Sequence, residues 1–112
     1  MTVIEYSEQI REGNKMLTRG LNKLYNLAEA GVNENFYSYW FKLTGINGHL
    51  KSKKSVTVID IPSYVKSINM VINNLMQFDT TGLNGRNQRT LKGIMADFTK
   101  TLNIWEVAYN GF

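Results

Sequence analysis

The chain has 112 residues, 43% of them apolar and 20% charged, with a net charge of +4. That composition suits one folded helical domain over residues 1–112 and excludes the weakly apolar, highly charged corner where disordered chains lie. There is no cysteine and a single histidine, His49, which excludes disulfides, thiolate chemistry, sulfur-ligated metals and three-histidine zinc centres.

The nine acidic residues are scattered, so no carboxylate cluster calls for calcium or magnesium, and no motif calls for a cofactor. No apolar run approaches the roughly 20 residues needed to cross a bilayer. The start, "MTVIEYSEQIREG", lacks the basic and apolar segments of a secretion signal, so a cytoplasmic location is expected. Thirteen asparagines, with many Lys, Ile, Tyr and Phe, point to a low-GC genome, whether of a bacterium, a mobile element or a virus.

Thr2 followed by Glu5 spells a capping box, and Val3, Tyr6, Ile10, Leu17, Leu21, Leu24 and Ala28 then share one face at 100° per residue. The spacing predicts a helix over about 3–29, closed by Gly31. Gly13 and Gly20 sit at the edge of its apolar face. They mark either the close approach of another helix or a ligand backbone, or else a kink or a late helix start, since each costs about 1 kcal/mol relative to Ala in a helix interior.

Asn33 is the expected cap of a second helix over roughly 34–44, ended by Gly45. Its stretch "FYSYWF" holds Phe36, Tyr39, Trp40 and Leu43 on one side, while Tyr37 and Phe41 widen the apolar arc to about 200°. Such a helix is either sandwiched among others or leaves the Tyr37/Phe41 flank for a partner. Residues 45–60, "GINGHLKSKKSVTVID", break the helical pattern and read as a basic irregular connection, in which "VTVI" has the alternation of a short strand. Lys51, Lys53 and Lys54 within it are candidates for an acidic protein face or phosphates, or form a loop kept soluble by charge.

Asp60 and Pro62 spell the start of a third helix, with Ile61, Tyr64, Val65, Ile68, Val71, Ile72, Leu75 and Met76 on its apolar side. After the turn "DTTGLNGRN", a fourth helix over about 86–109 carries a stripe of Leu91, Ile94, Met95, Phe98, Leu102, Trp105 and Tyr109. Arg86, Arg89 and Lys100, offset by Asp97, occupy its expected solvated side.

The elements sum to an all-α, compact four-helix domain of three long helices and one short aromatic helix. Unequal lengths and the long connection argue against a regular up-down-up-down bundle and leave an orthogonal arrangement equally open. The functional expectation is a small non-enzymatic interaction protein whose partner is a protein with an acidic face, held by Tyr37, Phe41, Lys51, Lys53 and Lys54. A virus- or mobile-element-encoded inhibitor acting by steric and electrostatic blockade has this form. The alternative is nucleic-acid binding through the basic loop of Lys51, Lys53 and Lys54 together with Arg86, Arg89 and Lys92 at the start of the fourth helix. No membrane partner is expected, and exposed flanks on the second and fourth helices are compatible with a homodimer. An enzyme would need His49 folded into a cleft beside Asp60 or Asp97.

Overall fold

A computed structural model describes residues 3–52 and 60–110, with side chains placed for 8–50 and 61–107. Four helices make up the fold: α1 (Val3–Glu29), α2 (Asn35–Ser52), α3 (Asp60–Met76) and α4 (Gly85–Asn110). There is no strand among the described residues, and one continuous apolar core runs through all four helices.

Each helix touches two others. α1 packs most extensively on α4 and then on α2; α3 lies against α4 and α2; among the described residues the diagonal pairs α1/α3 and α2/α4 make no close backbone approach. The directions follow from cross-helix contacts. Gln9 reaches the Ile104 carbonyl while Lys23 reaches Asp97, so α1 and α4 are antiparallel. Thr18 bonds Asn47 and Tyr25 meets Trp40, and the pairs His49–Tyr64 and Phe36–Phe78 set α3 against α2 in the same sense. The result is a ring of alternating helices, an up-down-up-down bundle. Its long dimension of 47 Å, against 22 and 19 Å across, is set by α1, whose 27 residues span about 40 Å at 1.5 Å per residue.

Unequal helix lengths therefore do not prevent the regular topology. The reason is visible in α2, which runs through Gly45 and Gly48 to Ser52. At 18 residues it is longer than the 17-residue α3, so the aromatic helix is not the short one, and residues 45–52 are helical rather than irregular. Two glycines cost about 1 kcal/mol each in a helix. Ile46 and Leu50 are both buried, and burying a large aliphatic side chain contributes about 1.5–3 kcal/mol, so packing outweighs propensity. Residues 53–59, with Lys53, Lys54 and the "VTVI" stretch, lie outside the described residues.

The ends of the helices are built as their sequences imply. Gly31, at φ 77°, donates to the Ala28 carbonyl while Val32 donates to that of Leu27, the paired bonds of a Schellman motif that ends α1. Asn33 then caps α2, its Oδ1 accepting from the Asn35 N–H at 2.8 Å. Asn84 does the same for α4, accepting from Asn87 N–H at 2.7 Å.

The α1–α4 seam explains Gly13 and Gly20. A Cβ at Gly13 would lie 2.5 Å from Cδ1 of the Trp105 indole, and one at Gly20 would lie 2.5 Å from Phe98 Cε1. Both glycines permit close approach; the α4 rings lie directly on the α1 backbone. Trp105 Nε1 donates to the Ile10 carbonyl at 3.0 Å, and Thr101 Oγ1 donates to the Gly13 carbonyl at 3.0 Å, so the buried polar atoms of α4 are satisfied by α1 itself.

Candidate interaction site

The five rings between 36 and 41 are divided by the bundle. Phe36 is buried, 5.1 Å from Phe78 centroid to centroid, and closes one end of the core. Tyr39 and Trp40 are partly buried against the core. Tyr37 and Phe41 are left outside, 41% and 76% exposed. They stand one helical turn apart, so they present one continuous flank.

That flank is joined by a residue of α1 that does not lie on its apolar stripe. Tyr25, 39% exposed, sits 5.1 Å from the Trp40 ring and 6.2 Å edge-on from Tyr37. Four residues on, the Glu29 carboxylate lies close enough to both phenols to act on their ionisation. The hydrogen bond and the charge of Glu29 raise the Tyr25 pKa above its ordinary 10.0. Tyr37 is raised first by loss of hydration and then by the same carboxylate. Both hydroxyls therefore stay protonated at neutral pH, and the local field around them is negative.

Between α1 and α2 the surface dips into an open pocket lined by Asn22, Tyr25, Asn26 and Trp40. Asn22, Asn26 and Glu29 follow each other at spacings of four and three, which places them within about 60° on one face of α1. The amide side chains of Asn22 and Asn26 have no hydrogen-bond partner among the described residues. Tyr25, Glu29, Trp40 and the two asparagines were not among the residues expected to form a site. Their signal in the sequence is the polar row 22–26–29 beside an off-stripe tyrosine, and it becomes a site only once α2 lies against it.

The other expected residues fall elsewhere. Lys51 is in the last turn of α2, with its side chain outside the described set, as are Lys53 and Lys54 entirely. Fourteen positions separate it from Tyr37, or about 21 Å of helix, so the lysine end and the aromatic end of α2 are distinct. Arg86, Arg89 and Lys92 are all exposed on the first turns of α4, and no described carboxylate pairs with them. α4 and α2 are diagonal in the bundle, so these cations stand on a different helix from the Tyr37/Phe41 flank. Asp97 is not on a solvated face: it is tucked against α1 and binds Lys23 at 2.8 Å, with Gly93 one turn earlier on α4 lying beside the lysine stem. His49 belongs to α2 and meets the Tyr64 ring edge-on at 5.6 Å. It is on the helix diagonal to the one bearing Asp97.

A second concavity lies between α3 and α4, a groove of about 620 Å³ whose walls include Ile61, Val65, Ile72, Leu102 and Trp105, with Glu106 at its edge. Among the described residues no three of His, Asp and Glu converge as metal ligands, and no helix is long and apolar enough to cross a membrane.

No protein-family model, no curated protein and no solved structure matches this chain. The residues and their arrangement carry the functional reading alone.

Proposed function

We propose that the protein is a non-enzymatic interaction module that binds a protein partner through the aromatic flank of α2 and blocks the surface it occupies. The observation that carries this reading is Phe41, 76% exposed next to a set of mutually packed rings. A phenylalanine left in water forgoes about 1.5–3 kcal/mol of burial, and clustered Tyr and Trp are the side chains that dominate binding energy at protein interfaces. The core does not use Phe41; a partner would. The lysines 51, 53 and 54 then supply positive potential for an acidic area of the same partner, which speeds encounter more than it adds affinity. Placement of His49 against Tyr64, and of Asp97 against Lys23, supports a binding role over general-base chemistry. A virus- or mobile-element-encoded inhibitor is the biological form that fits, since blockade requires only shape and a few anchors.

The test is affinity capture from native-host extract with wild-type and Phe41→Ala baits in parallel. A specific protein retained by the first and lost by the second, with melting curves of the two baits within about 1 kcal/mol of each other, supports the reading. Identical capture by both baits overturns it.

A second reading rests on the row Arg86, Arg89 and Lys92, exposed and without described carboxylate partners at the start of α4. Three such cations suit phosphate contacts along a nucleic acid. Binding of this kind falls steeply with salt, and the triple alanine variant would lower the slope of log K against log salt by about 2–3. No gel shift at low salt removes it.

A further inference from the structure

The pocket beside the aromatic flank has a chemistry of its own. It offers two ring faces, Tyr25 and Trp40, set 5.1 Å apart at 51°, and amide side chains from Asn22 and Asn26 on its wall. Glu29 follows Asn26 by three residues on the same face of α1, and its charge acts on the Tyr25 and Tyr37 phenols. Of the nearby cations, Lys23 is held by Asp97 and Lys42 by the Met70 sulfur, while Arg19, exposed one turn before Asn22 on the same face of α1, stands farther from Glu29 than the pocket does. So an otherwise basic protein presents here electron-rich ring faces, unpaired amide oxygens and one carboxylate, with no bound cation of its own.

We infer that this pocket is a receptor for an arginine side chain of the protein partner, the guanidinium stacking on the Trp40 face beside the edge of Tyr25 and donating to Glu29 and the Asn22 and Asn26 amide oxygens. Arginine fits better than lysine on three counts. Its planar group stacks on an aromatic face, where a cation is attracted by the ring quadrupole. It has five N–H donors in a fixed fork, matching a carboxylate and two amide oxygens along one helix face, whereas an ammonium has three donors about a point. Its fork can also pair the carboxylate bidentately, adding geometric specificity to a charge match that either cation would give. The inference rests on the binding role proposed above and adds the chemistry of the anchor: Phe41 enters an apolar site on the partner while the partner returns an arginine to this pocket.

The two tryptophans of the chain give the experiment an internal control. N-acetyl-L-arginine methylamide is titrated into the full chain while both indole N–H resonances and the asparagine side-chain amides are followed by NMR. Saturable shifts of the Trp40 indole and of the Asn22 and Asn26 amides are expected, with a Kd on the order of millimolar for so small a probe. The Trp105 indole, buried and bonded to the Ile10 carbonyl, stays still. The citrulline analogue, equal in shape and uncharged, should give no saturable shift, and Glu29→Gln should weaken the arginine probe by roughly tenfold with the melting curve retained. Equal shifts from citrulline, shifts unaffected by Glu29→Gln, or no saturable change at Trp40 each overturn the assignment. This outcome is separable from the capture experiment: Phe41-dependent capture of a partner with no arginine response leaves the interaction role standing and removes only the receptor.

Discussion

α4 has two neighbours and meets them in opposite ways. Against α1 its rings are pressed onto bare backbone at Gly13 and Gly20, and the seam is closed by hydrogen bonds from Trp105 and Thr101 to α1 carbonyls. Against α3, which contains no glycine and presents Ile61, Val65 and Ile72, it leaves a groove of about 620 Å³. The same helix, with the same buried indole in contact with both neighbours, is sealed where its partner lacks a Cβ and open where the partner carries branched side chains. Helix separation in this bundle is thus decided by residue size at two or three positions, and the apolar stripes alone do not determine it.

The largest effect that breaks this contrast should come from Trp105→Ala. The indole is fully buried and touches both neighbours of α4, through the Ile10 carbonyl of α1 and the Tyr64 ring of α3. Removing it should cost about 3–5 kcal/mol and merge the sealed seam with the groove. Urea denaturation of the two chains measures it. A loss below about 1 kcal/mol would show that the seam is held by other contacts.

A sharper version uses one substitution with two signs. Gly13→Ala and Gly20→Ala place a methyl inside the rings of Trp105 and Phe98, and overpacking of this kind costs typically about 1–3 kcal/mol. Gly45→Ala and Gly48→Ala put the same methyl on α2 where nothing lies within 4 Å, and each should stabilise by about 0.5–1 kcal/mol through helix propensity and a less free unfolded chain. Thermal melts of the four single variants should divide into two pairs, down and up. A fall at Gly45 or Gly48 would mean that α2 does not run helical through those positions.

These four glycines also show what could be read from the chain and what could not. All lie within or beside an amphipathic stripe. At Gly13 and Gly20 the sequence leaves close approach and kink as alternatives, because the ring that selects between them sits more than 75 residues away on α4. At Gly45 the local rule that glycine ends helices favours a stop, and the rule is outweighed by Ile46 and Leu50, which continue the Phe36, Tyr39, Leu43 spacing. The stripe was legible; its strength against two glycines was not. For the site, exposure of Tyr37 and Phe41 was readable from an apolar arc too wide for one contact. Tyr25 and Glu29 were not, since their partners Trp40 and Tyr37 come from another helix. Asp97 was misplaced on a solvated side for the same reason: Lys23, which binds it, is 74 residues away.

The smallest effect concerns the turn that joins the two helices of the open seam. Asp79 Oδ1 accepts from the Thr81 N–H at 3.0 Å and from the Thr81 hydroxyl at 2.8 Å, and these bonds hold its pKa below the ordinary 3.8. Because the folded pKa is depressed, the turn's contribution is present above the unfolded value and is lost as pH falls through the folded one. Asp79→Ala should therefore be slightly less stable than the parent near neutrality, and the difference between the two chains should shrink on acidification below about 4. The group is exposed, so the gap is small and is best read as a difference in Tm between paired samples at several pH values. A gap that stays constant down to pH values well under the ordinary carboxylate range would assign the Asp79 side chain a steric role in the turn, with no part for its charge.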